Sequence, residues 1–134
     1  MMNNAEAILP AGWPRPSGYA HAIVAHGHVI ALAGQIGWNP TTGAFESDDF
    51  VAQARQAFRN VITVLAAAGG RADQIVRLTW YITDRAEYLA RLEELGAAYR
   101  EVLGRHYPAM TVVVVAGLVE ARARIEVEAT AVVG

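Results

Sequence analysis

Residues 124–133 alternate without a break. Arg124, Glu126, Glu128 and Thr130 fall on one side, and Ile125, Val127, Ala129, Ala131 and Val133 on the other. Period-two alternation marks a strand with one face in a core and one face turned outward. The pattern recurs over 76–83, where Val76, Leu78, Trp80 and Ile82 alternate with Arg77, Thr79, Tyr81 and Thr83. A chain with two such strands must cover one sheet face with an apolar layer and keep the other face polar.

Two helical patterns can supply that cover. Phe50, Ala54, Ala57, Phe58, Val61, Leu65 and Ala68 recur at three- and four-residue spacings, which predicts a helix with one buried face. Ser47, Asp48 or Asp49 can cap it, and Gly69-Gly70 stops it. A second helix starts at Asp84 with Glu87 three residues on, a capping-box spacing with Asp in place of Ser or Thr. Its stripe is Tyr88, Leu92, Leu95, Tyr99 and Val102, closed by Gly104.

Ahead of the first helix, "GYAHAIVAHGHVIALAG" carries two apolar runs around His26-Gly27, which predicts a hairpin. Gly34 ends the second run, and "NPTTG" (39–43) is turn chemistry, with room for a short strand near 45. "HYPAMTVVVV" (106–115) is a helix exit leading into a buried strand over 110–117. Residues 1–18, rich in proline, read as an irregular arm. The expected order is β-β-α-β-α-β-β in a single domain spanning 1–134. This is an α+β fold, a mixed β-sheet covered on one face by two helices. The uncovered face suits packing against other subunits.

Composition excludes several chemistries. Cysteine is absent, so there is no thiolate nucleophile and no thiolate metal site. All 11 basic residues are arginine, so no lysine can form a Schiff base. Neither serine, Ser17 or Ser47, lies in a G-x-S-x-G context. Any catalysis must rest on general acid–base work and backbone polarisation. The net charge of −2 argues against a nucleic-acid partner. No apolar run is long enough to cross a membrane, and the N-terminus lacks the features of a signal peptide, so cytoplasmic residence is the expectation.

Six stretches in order resemble the Rid family (RidA/YjgF-type proteins): "GYAHAI" (18–23), "AGQIGWNPTTGAF" (33–45), "QARQAFRNVITVLAAAGG" (53–70), "IVRLTWYITD" (75–84), "YPAMTVVVVAGL" (107–118) and "IEVEATAV" (125–132). The resemblance implies a chorismate-mutase-like fold and a homotrimer with small-molecule clefts between subunits. It also implies hydrolysis of reactive enamines and imines, such as 2-aminoacrylate, to a 2-keto acid and ammonia, with neither metal nor organic cofactor.

Carried over by position, the family's cleft tyrosine is Tyr19, and its substrate-holding backbone is Ala33 and Gly34. The carboxylate that orients water is Glu126. A cleft asparagine falls on Gly96 and a common cysteine on Val112. The arginine that clamps the substrate carboxylate falls on Met110. Trp38, in the loop after the ligand-holding segment, can wall the cleft, and Arg105 is a candidate stand-in for the missing arginine. Spacing alone gives Glu126 and Glu128 as outward carboxylates, Tyr19 as a boundary residue, and His26-x-His28 as a pair straddling a turn with no third metal ligand nearby.

Arginine grips a carboxylate through two parallel charge-assisted bonds; a thioether has no charge to offer. Met110 therefore places the chain with arginine-lacking Rid branches. It predicts a deaminase with weak or no activity on small 2-imino acids. The alternatives are a metabolite-binding or regulatory trimer using the same cleft without turnover and, third, the ribonuclease activity attached to some relatives.

Overall fold

The computed structural model describes residues 5–134. In chain order its elements are β1 (Ala5–Ile8), β2 (Ala22–Ala25), β3 (His28–Ile36), α1 (Phe50–Ala67), β4 (Ile75–Ile82), α2 (Arg85–Ala90), α3 (Leu92–Leu103), β5 (Ala109–Val114) and β6 (Ile125–Val133), with a 3₁₀ turn at Ala72–Gln74. The central sheet runs β3-β6-β4-β5. β6 is antiparallel to both its neighbours, and β4 is parallel to β5.

The alternation read in β4 and β6 sets the two faces. Trp80 lies opposite Val127 and Leu78 opposite Ala129, and all four are buried. Against them pack α1, through Ala54, Phe58, Val61 and Leu65, and α3, through Leu95, Ala98 and Tyr99. Phe58 stands at the centre, with ring centroids 5.2 Å from Trp80 and 5.6 Å from Tyr99. The other face carries Thr79 opposite Glu128 and Tyr81 opposite Glu126. The fold is α+β, with the helical layer on one side of the mixed sheet.

Both helix starts follow the capping chemistry. The Asp49 carboxylate accepts from the Ala52 N–H at 2.9 Å, and Asp84 accepts from the Glu87 N–H at 3.0 Å. The expected single second helix is broken at Arg91, whose backbone leaves the helical region (φ −118°, ψ 22°). Its guanidinium spans Asp49 at 2.8 Å and Glu94 at 2.8 Å, tying the break to the start of α1.

Five further expectations need correction. The N-terminal arm is not irregular throughout, because β1 pairs antiparallel with β2, Ala5 opposite Ala25; residues 1–4 lie outside the described part. β2 does not form a hairpin with β3. Gly27 between them has φ 142°, a backbone conformation that favours glycine, and its α-carbon sits against the Val133 carbonyl, where a β-carbon would come within 2.0 Å. The stretch near residue 45 makes only an isolated bridge, Asn39 with Ala44. The valine run of β5 lies at the sheet edge, with Val113 and Val114 exposed, rather than in the core. Finally, a register shift between Ile75 and Arg77 buries Ile75 in place of Val76.

Candidate functional site

The sequence-predicted residues separate into two groups on opposite faces of the sheet. Met110 is registered with Leu78 and Val112 with Trp80, which puts both on the helix-covered face. Glu126 is registered with Tyr81 on the other. One chain therefore carries two separate groups of candidate residues.

The first is a cavity of about 570 Å³ at the β5 edge. It gathers Tyr19, Gly96, Met110 and Val112 with the aromatic rings of Trp80, Tyr88, Tyr99 and Tyr107. Tyr19 reaches it because the Ala20 N–H donates to the Pro108 carbonyl at 3.0 Å, docking the arm beside the entry to β5. His21 packs edge-on to Tyr19 and to Trp13, with centroids 5.3 Å and 5.0 Å away. On the opposite wall, the Tyr99 hydroxyl donates to the His106 carbonyl at 2.5 Å, and its ring stacks on Tyr107 at 5.4 Å and 12°. The His106 ring bonds the Ile75 carbonyl at 2.7 Å.

Burial pushes the Tyr99 phenol well above its ordinary pKa and raises that of Tyr88. Both stay neutral near pH 7 and act as hydrogen-bonding walls rather than bases. Trp80 lines this cavity, and its buried indole N–H has no hydrogen-bond partner among the described residues.

The second group lies where β3 meets β6. The pairing slips between Leu32 and Gln35, so Ala33 and Gly34 bulge from the ladder. The Glu126 side chain fills the space above Gly34 and, among the described residues, makes no hydrogen bond or ion pair. Its neighbour Glu128 differs, since the Tyr81 hydroxyl donates to it at 2.5 Å. That bond to the carboxylate, with burial second, raises the Tyr81 pKa. Glu128 is held while Glu126 is free.

Trp38 belongs to neither group. Its ring packs near Phe45, centroids 6.2 Å apart, and its carbonyl accepts from Asn60 at 3.0 Å. Arg105 is exposed and does not line the cavity; Arg100 does. Sequence pattern alone does not mark Arg100, Tyr88, Tyr99 and Tyr107 as cavity residues. For Arg100 a signal existed: it stands four residues after Gly96, one turn along the same helix face.

The sequence pattern of the endoribonuclease L-PSP family, the YjgF/Rid group, matches residues 14–133. The chain belongs to the Rid family. A RutC family protein of Pyrococcus horikoshii is 35% identical over 94% of this chain and 96% of its own. The 2-iminobutanoate/2-iminopropanoate deaminase of Escherichia coli is 36% identical over 79% of this chain and 80% of its own. Among solved structures, the Rid family protein YyfB of Yersinia pestis, of unknown function, superposes with a TM-score of 0.84 at 30% identity. That match covers 97% of this chain and 99% of the other. Among the described residues, no helix is long and apolar enough to cross a membrane.

Proposed function

We propose that this Rid protein is a hydrolytic deaminase of an enamine or imine metabolite. Its cleft forms where the cavity of one subunit meets the Glu126 half-site of the next in a homotrimer. The observation that carries this reading is the Glu126 carboxylate, without a hydrogen bond, over the bare backbone of Gly34. A carboxylate in that state is available to orient water.

In the reaction, water adds to the carbon of the protonated C=N group as one of its protons passes to Glu126, giving a neutral carbinolamine. Glu126 gives that proton to the nitrogen as the C–N bond breaks, and the carbinolamine hydroxyl releases its own proton to Glu126 and then to solvent as the C=O forms, leaving ammonia and the carbonyl product. Backbone groups at Ala33 and Gly34 hold the substrate, and Tyr19 closes the opposite side. The apolar residues exposed on the sheet and its edge, Val29, Val113 and Val114, supply surface for subunit contact. The name of the 36%-identical E. coli relative supports the reaction class.

Met110 favours substrates larger or less acidic than 2-iminopropanoate. The same residue is the one observation favouring a metabolite-binding trimer without turnover. Ammonia release from imines generated in situ by an amino-acid oxidase, across aliphatic and aromatic amino acids, separates the two. The deaminase reading expects acceleration that Glu126→Gln lowers about a hundredfold or more. Rates equal to buffer for every imine would overturn it.

A further inference from the structure

The first half-site holds a charge that its walls do not answer. Arg100 is the sole cation lining the cavity among the described residues, and no carboxylate lines it. Its own helix offers no acid one turn away: residues 96, 97, 103 and 104 are Gly, Ala, Leu and Gly. The adjacent Glu101 is taken by Arg55 and Arg59, each at 3.1 Å. Among the described residues the Arg100 guanidinium has no hydrogen-bond or ion-pair partner.

Gly96 explains how that side chain lies where it does. Helical side chains lean toward the N-terminus, over the residue four positions back. A β-carbon on Gly96 would stand 3.2 Å from Arg100 Nη1, closer than ordinary contact. The bare backbone at 96 thus forms the bed on which the guanidinium rests beside the cavity.

We infer that Arg100 is the anion-binding group of this cavity, delivered from α3 across Gly96 rather than from β5, where Met110 stands. The ligand it fits is a monoanionic carboxylate with an aromatic or large apolar body. The charge meets the exposed guanidinium, and the body lies among Tyr88, Leu92, Leu95, Tyr107 and Met110. This assignment rests on the cavity being the substrate cleft, and it names the substrate class of that cleft.

The test is equilibrium binding to the intact protein by titration calorimetry, with phenylacetate and its neutral amide, phenylacetamide, as probes. Neither probe reacts, so turnover is irrelevant to the reading. The wild type is expected to prefer the carboxylate by about tenfold or more, the usual weight of a hydrogen bond to a charged group. Arg100→Met is expected to remove that preference by weakening phenylacetate alone. Arg100→Lys keeps part of it, and Arg105→Met keeps all of it. A carboxylate preference that survives Arg100→Met, or its absence in the wild type, overturns the inference. If the preference depends on Arg100 yet no imine is hydrolysed, the deaminase reading fails alone. If hydrolysis proceeds while Arg100→Met binds like the wild type, this inference fails alone.

Discussion

The carboxylate of Glu126 occupies the space that a side chain at position 34 would fill. A β-carbon on Gly34 would lie 2.0 Å from its Oε2 and 2.7 Å from its Cδ. The relationship is local to the Ala33–Gly34 bulge, where the pairing of β3 with β6 slips. Gly34 is thus where the strand gives way so that the acid can lie against it.

Gly34→Ala is expected to displace Glu126 and to lower imine hydrolysis about tenfold or more, while stability changes by no more than about 1 kcal/mol. Ammonia-release kinetics beside thermal denaturation read both. Undiminished kcat in a folded variant would show that the acid need not lie over residue 34.

Gly96→Ala sets stability against binding. Alanine in place of a mid-helix glycine stabilises by about 0.5–1 kcal/mol. The new methyl also crowds the Arg100 guanidinium from 3.2 Å. The expected outcome is a higher denaturation midpoint together with several-fold weaker phenylacetate binding. A gain in both would mean that Gly96 does not serve as the bed for Arg100.

The parts of the fold legible in the sequence were those decided by local rules. The alternation in β4 and β6 and the caps at Asp49 and Asp84 depend on residues close along the chain. The pairing of β2 does not: its partner is β1, at the far end of the proline-rich arm, with Ala5 opposite Ala25. The site divides in the same way. Resemblance named Tyr19, Gly96, Met110 and Val112, and they line one cavity. Arg100 escaped because an arginine on a helix surface reads as solvated until its empty surroundings are seen. The separation of Glu126 from Met110 follows from register across three strands, which no local pattern reports.

Met110→Arg restores a guanidinium on the cavity-lining face of β5. It is expected to raise kcat/KM on 2-iminopropanoate about tenfold or more. In an Arg100→Met background it is expected to return the preference for carboxylates. If neither appears, the cavity differs from that of small-imine deaminases by more than one side chain.

Acid stability reports the Asp49–Arg91 pair. The hydrogen bond from Arg91, then that from the Ala52 N–H, holds the Asp49 carboxyl below its ordinary value of 3.8. A depressed carboxylate pKa contributes stability that is present above the unfolded value and lost as pH falls through the folded one. Asn can still cap α1 but cannot pair with Arg91. Asp49→Asn is therefore expected to be less stable than wild type by up to about 1 kcal/mol at pH 7. The gap closes below pH 3.8, as urea denaturation across pH can measure. A gap that persists at low pH would assign the effect to the cap.

Tyr99→Phe separates one hydrogen bond from the packing around it. The Tyr99 hydroxyl holds the His106 carbonyl at 2.5 Å, and the next two residues, Tyr107 and Pro108, form the cavity wall and the point where Ala20 docks the arm bearing Tyr19. Phenylalanine keeps the ring stacked on Tyr107 but leaves a half-buried carbonyl unpaired, which costs about 1–3 kcal/mol. The loosened 106–108 segment also lets Tyr19 drift from the cavity. The expected result is a lower denaturation midpoint and a raised KM with kcat largely retained, because Glu126 lies on the opposite face of the sheet. Tyr99→Leu, which removes ring and hydroxyl together, is expected to lose more of both. A Tyr99→Phe variant with lowered kcat and unchanged KM would place the phenol in the chemistry itself rather than in positioning the arm.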